Sequence, residues 1–468
     1  MLFNTPLFFL FFTCFFTLYS FVFLKRYPRL LLILVGSLIF YAGWNFRFIP
    51  LLVFSGVIDY FVALGIQNAV NQKRKKLYLA VSIATNLGIL AIFKYSDFAM
   101  QSVVDLVSLF GYEMNWTVLN YVLPVGISFY TFQSMSYTID VYRGEMQARK
   151  GLLTFISALA FFPQLVAGPI LRARHILPQL ELMPSPTWLG AKHGALLFTI
   201  GLFKKTLADL LAANVSYAYD GAGVSMLEAW TGVLAFAAQI YGDFSGYTDM
   251  AIGTGMILGF KIPLNFRLPY FATSPVDFWR RWHISLSSWL RDYLYISLGG
   301  NRNNHRYRNI MITMLLGGLW HGAAWTFVVW GFFHGLIIVA THYLAALKPI
   351  IKFSRSEFIG ARLLKWAMTF YLVLIGWVFF RAQDFGDATS MLMSMHGLTD
   401  FAGASQAGLA FGLTVLALAV MHVFDWVILK FSSGIEKRVW LFWPLIFIFQ
   451  FVCFMFGAPS DAFIYFQF

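Results

Sequence analysis

The sequence predicts an all-α polytopic membrane protein, and three observations carry that expectation. Hydrophobic residues make up 59% of the 468 positions and charged residues only 12%, about half of the ~25% charged share of a soluble globular protein. The mean hydropathy is +0.69. The basic residues, 34 Lys+Arg against 21 Asp+Glu, gather in short segments between long apolar runs, where the positive-inside rule places them in a membrane protein. The net charge of +13 therefore points to membrane topology and away from nucleic acid. With the lipid bilayer as solvent, the chain reads as one integral membrane domain over residues 1–468.

A transmembrane helix needs about 20 mostly apolar residues. Candidate runs lie near 5–24, 30–45, 48–66, 77–95, 118–138, 152–170, 190–213, 227–242, 245–260, 309–345, 364–380, 406–429 and 439–457. Some are short or fused, so roughly 11–13 membrane-embedded segments are expected, some of them interfacial or re-entrant. The first run opens with Met1-Leu2-Phe3 and no basic region, which fits a retained span better than a cleaved signal peptide. Lys25, Arg26 and Arg29 follow the first run, and Lys73-Arg74-Lys75-Lys76 follow the third. With the N-terminus outside, both loops fall on the cytoplasmic side. No internal repeat stands out, which argues mildly against a transporter of inverted repeats.

Residues 261–308 break the apolar pattern, with Arg267, Arg280, Arg281, Arg291, Arg302, Arg306 and Arg308 among Trp and Tyr. Ser274, Pro275 and Asp277 read as a helix start, the serine as N-cap and the proline in the first turn. Asp277 and Arg281 then lie one turn apart with the acid first, the favourable order. The run Asp277-Phe278-Trp279-Arg280-Arg281-Trp282-His283 carries too much charge to span lipid. Its helix should lie at an interface or inside the protein, with Arg heads reaching water or phosphate. The loop Gly299-Gly300-Asn301-Arg302-Asn303-Asn304 ends it.

His321 sits in Gly317-Gly318-Leu319-Trp320-His321-Gly322, deep in an apolar run. An ionisable residue at membrane depth is a functional candidate, and the small residues beside it let a backbone or substrate approach. The alternative is a buried histidine hydrogen-bonded to a carbonyl. His334 follows thirteen residues later; on a straight helix it would point far from His321, so it reads as structural. No His pair has zinc-helix spacing, Cys14 and Cys453 both lie in apolar runs, and G-x-S-x-G is absent. Neither a metal nor a serine nucleophile is expected. What remains is a histidine general base that activates a hydroxyl. Between apolar runs, Tyr241 to Asp249 include Asp243, Ser245 and Asp249. They could form a proton relay or acceptor site; the stronger reading is a structural network pairing the acids with the Arg-rich segment.

Four motifs in order resemble the membrane-bound O-acyltransferase (MBOAT) family, in particular its bacterial alginate O-acetyltransferase-like branch. They are Asp243 to Met250, Asp277 to Ser287, Tyr293 to Arg302 and Leu319-Trp320-His321-Gly322. The resemblance covers the central catalytic region, about 125–334, and weakly the C-terminal Phe463-Ile464-Tyr465-Phe466-Gln467-Phe468. It implies a catalytic role for His321 and a second key polar role for His283. It also implies peripheral spans around a thinned centre with a tunnel joining the two membrane faces, set in a bacterial inner membrane. The implied reaction moves acetyl from cytoplasmic acetyl-CoA toward an exported polysaccharide, directly or through a periplasmic acetyl-relay protein. Arg280, Arg281 and Trp282 are candidates for holding the acyl-CoA, with Asp243, Ser245, Asp249 and Asp277 as the supporting polar network. The rival acyl reading is D-alanyl transfer from a carrier protein to a cell-wall polymer. From another class, an ion or solute transporter would use Asp243, Asp249 and the histidines as an ion path.

Overall fold

The computed structural model describes residues 1–220, 223–302, 305–345, 347, 358–399, 407–431 and 439–456, whose regular structure is helical, with no strand among them. Among them, Arg26–Asn68, Gln72–Ser108, Trp325–Leu344, Ile359–Arg381 and Ala407–Val427 are long and apolar enough to cross a membrane. Pro6–Val22 and Ile446–Phe456 are shorter apolar helices. The chain divides into two compact units, Met1–Gly194 with Ala251–Pro263, and Ala195–Met250 with Leu264–Phe468.

The first unit contains α1 (Pro6–Thr17), α2 (Arg26–Asn45), α3 (Ile49–Asn68), α4 (Gln72–Leu90) and α5 (Ser96–Ser108). They are followed by α6 (Ile127–Arg143), α7 (Leu152–Leu159), α8 (Phe162–Leu165) and α9 (Ala173–Leu182). Leu31, Val35 and Ile39, one turn apart on α2, are exposed, while Leu30, Ile33 and Phe40 are buried. Such an apolar outer stripe suits a face against lipid. Where lipid surrounds the helices, polar contacts hold them together more than the hydrophobic effect does. Asp59 of α3 is fully buried. It accepts from Ser82 at 2.6 Å and Asn86 at 2.7 Å on α4, and from Ser134 at 2.5 Å on α6.

Two apolar runs of this unit are not single helices. The run at 118–138 becomes helical only at Ile127. Gly126 before it has φ +76°, and a Cβ there would lie 2.4 Å from the Leu165 carbonyl oxygen. Only glycine fits this turn. The run at 152–170 splits into α7 and α8, with Pro163 in the first turn of α8; proline has no N–H with which to continue the preceding helix.

The second unit takes most of α10 (Trp188–Asp220) and α11 (Met226–Ile257). The expected breaks at 213 and between 242 and 245 are absent, and α11 absorbs two predicted spans. Gly201 and Gly246 let the two helices touch: a Cβ on either would lie 2.5 Å from the other's carbonyl oxygen. Two short helices follow, α12 (Pro275–Arg281) and α13 (Ile284–Trp289), then α14 (Arg306–His321) and α15 (Trp325–Leu344). The predicted run 309–345 thus folds at Gly322–Ala324, where the backbone is extended. The helices α14 and α15 meet at Gly318 and Gly331, whose Cα atom lies 3.0 Å from where a Gly318 Cβ would be. Last come α16 (Ile359–Arg381), α17 (Phe385–Met395), α18 (Ala407–Phe431) and α19 (Val439–Phe456). The core is aromatic: Trp282, Trp330, Trp377 and Tyr241 are fully buried. Part of it is tied by a polar chain of the kind buried aromatics favour, with Trp377 Nε1 donating to Tyr270 at 3.1 Å and Tyr270 to the Ala237 carbonyl at 2.7 Å.

Candidate active site

The start of α12 forms as its sequence predicts. Ser274 caps it by accepting from the Asp277 N–H at 3.1 Å, and Asp277 holds Arg281 at 2.9 Å. The helix stops at Trp282, and His283 turns into the left-handed region with φ +43°. That conformation is uncommon for a residue with a side chain and persists only where its surroundings fix it. Here Asn265 does so from the preceding segment. Its backbone carbonyl accepts from Ile284 at 2.8 Å. Its side-chain oxygen accepts from the Ser285 N–H at 3.0 Å and hydroxyl at 2.8 Å, and lies 3.2 Å from His283 Nδ1. The His283 ring is fully buried, with Phe244 edge-on at 4.6 Å. Burial away from water disfavours the charged form and pushes this imidazole down to about 3, so it is neutral.

His321 ends α14 and is buried. The Trp320 ring stands beside both candidate histidines, 5.0 Å from His321 and 6.0 Å from His283 between centroids. The far side of His321 meets Trp330 at 5.0 Å and Phe380 at 5.3 Å. His334 does not lie on a continuation of the His321 helix. The break at Gly322–Ala324 folds α15 back, so His334 packs 4.8 Å from the same Trp330. Its Nδ1 accepts from Trp279 at 3.3 Å, and Gly376 makes room for its Nε2.

A cavity of about 490 Å³ includes in its lining Trp279, which donates to His334, and Ile284, which follows His283, together with Leu290, Thr313 and Met314. Arg280, Arg291, Arg306 and His342 also line it. Met314 lies two helical turns below His321 on α14, about 10 Å along the axis. Of the three residues expected to hold an acyl donor, Arg280 is on this wall. Arg281 is engaged by Asp277, and Trp282 is buried against Phe266 and Trp377. Six-residue π-helical winding at Leu290–Tyr295 carries Arg291 to the wall, a local widening often found at functional sites.

The acids of α11 pair with lysines rather than with the Arg-rich segment. Asp243 meets Lys205 at 2.8 Å, and Lys205 also holds Asp209 at 2.6 Å. Asp249 pairs with Lys204, which reaches Asp425 of α18 at 2.8 Å, and Tyr241 donates to that same aspartate. Ser245 is fully buried in the same stretch. Lys204 and Lys205 lie inside the predicted span 190–213, so charge at membrane depth was a signal for them. Nothing in the sequence marks Asn265. Asn303, Asn304 and Phe463 to Phe468 lie outside the described residues. Among the described residues no cluster of His, Cys, Asp and Glu could hold a metal ion.

Buried histidines and a cavity with several basic residues on its wall mark a many-helix membrane protein with polar chemistry inside it, and sequence comparison supplies the family. The model of the membrane-bound O-acyltransferase family matches residues 149–382. The chain is 42% identical over 411 residues to the probable alginate O-acetylase AlgI of Pseudomonas aeruginosa, covering 86% of this chain and 76% of that protein. It is 38% identical over 435 residues to the peptidoglycan O-acetyltransferase of Helicobacter pylori, covering 85% and 80%. More distantly, it is 28% identical over 284 residues to the teichoic acid D-alanyltransferase of Bacillus subtilis, covering 57% and 70%. The chain belongs to the membrane-bound O-acyltransferase family.

Proposed function

We propose that this O-acyltransferase moves acetyl from acetyl-CoA to hydroxyls of an exported polysaccharide, directly or through a periplasmic acetyl-relay protein, in a bacterial inner membrane. Residues 125–334 carry the chemistry. The observation that supports the reading most is the cavity with Arg280, Arg291 and Arg306 on its wall, lined also by Thr313 and Met314 of the helix that ends in His321. Arginine forks bind phosphate bidentately, which suits the phosphates of CoA at the mouth and its thioester at depth. The acceptor oxygen attacks the thioester carbonyl, a C–O bond forms and the C–S bond breaks. His321 takes the hydroxyl proton and returns it to the departing thiolate, so no covalent enzyme intermediate is needed. His283, whose ring also neighbours Trp320, holds the reacting groups. Asp243 and Asp249 act as structure through their lysines, and Asp277 through Arg281.

Loss of a general base costs ~10²–10⁴-fold in rate. Purified His321→Ala should therefore lose that much transfer while acetyl-CoA binding and thermal stability stay near wild type. A folded His321→Ala enzyme that transfers at wild-type rate would sink the mechanism. The D-alanyl alternative rests on the 28% identity to a teichoic acid D-alanyltransferase. Its donor would be a carrier-bound thioester, so binding of free acetyl-CoA separates the two.

A further inference from the structure

The geometry points to Asn265 as a positioning residue that fixes the tautomer of His283, presenting Nε2 as a hydrogen-bond acceptor to the reacting groups. The inference rests on the proposed role of His283 and follows from one donor whose identity is certain. The Ser285 backbone N–H can only donate, so the Asn265 atom 3.0 Å from it is the carbonyl oxygen. That assignment removes the ambiguity that normally attends an asparagine amide. The same oxygen lies 3.2 Å from His283 Nδ1. Two acceptors cannot share this contact, so Nδ1 carries the hydrogen. In the neutral imidazole the lone pair is then on Nε2. The Ser285 hydroxyl lies 3.5 Å from Nδ1 but only 2.8 Å from the Asn265 oxygen, so its hydrogen goes to the much nearer acceptor and Nδ1 keeps its own.

Asn265 is 1% exposed, and its Nδ2 has no partner among the described residues. Only its oxygen is used, so aspartate can replace it without breaking a bond. Leucine keeps the volume and removes the acceptor. The experiment measures radiolabelled acetyl transfer from acetyl-CoA to polysaccharide in inverted membrane vesicles, normalised to folded enzyme. Asn265→Leu should lower the saturating rate about tenfold or more, with the acetyl-CoA KM within about threefold of wild type. Asn265→Asp should restore most of the rate. In a His283→Gln background, Asn265→Leu should add less than about twofold, because a residue that acts through His283 has nothing left to position. An equal loss in both backgrounds, a wild-type rate for Asn265→Leu, or no recovery with Asn265→Asp would overturn the positioning role. A wild-type rate for His283→Gln alone would instead overturn the reading of His283 itself.

Discussion

Arg280 and Arg281 are neighbours in sequence and face different tasks. Arg280 is on the cavity wall, whereas Arg281 is bound to Asp277 in a half-exposed pair. Removing a charge-assisted contact to phosphate costs about 1.5–3 kcal/mol, so Arg280→Gln should raise the acetyl-CoA KM about tenfold or more. Arg281→Gln should leave that KM within about twofold and cost under ~1 kcal/mol of stability, as a surface pair does. Titration of acetyl-CoA against both variants checks the contrast. The sequence could mark both arginines as candidates because they stand in a charged run between spans, but it could not say which one α12 turns toward the cavity. The same limit applied to the histidines. The sequence could single out His321 and His283 as candidates through their motifs, while the place of His334 depended on a break in the helix.

The hairpin of α14 and α15 shows what decides such a break. A Cβ on Gly331 would lie 2.3 Å from the Met314 carbonyl oxygen, and on Gly318 2.2 Å from that of Phe327. These are backbone atoms that no rotamer change can move. Gly331→Leu should therefore force the helices apart at a cost of about 3 kcal/mol or more, lowering both the melting temperature in detergent and transfer. At Gly317 a Cβ would meet only the Leu290 side chain at 3.2 Å. Gly317→Ala should cost under ~1 kcal/mol, and a comparison of melting curves for the two variants tests the packing. Hydropathy located the apolar stretches well, since lipid demands about the same composition from every span. It could not divide 309–345 or join 227–242 to 245–260, because those outcomes depend on glycine contacts between helices distant in sequence.

For the whole molecule, the predicted topology puts Lys73 to Lys76 in the cytoplasm. Asn71, which caps α4 by accepting from the Arg74 N–H at 2.8 Å, is exposed at that loop. In a chain whose Cys14 and Cys453 are replaced, Asn71→Cys should resist an impermeant thiol reagent on intact cells and react after permeabilisation; labelling of intact cells would invert the topology. The buried ion pairs extend across the same scale. Lys204 of α10 and Asp425 of α18 are separated by 221 residues. Ribosomes add about 5–20 residues per second, so roughly 10–45 s pass between the emergence of the lysine and that of its second partner. During that interval Asp249 is the partner of Lys204 already made, and the ion pairs between α10 and α11 stand without Asp425. The order of synthesis therefore matters to the chemistry of this chain: only a nascent polypeptide that has reached α18 holds the full counter-ion set of a lysine made long before.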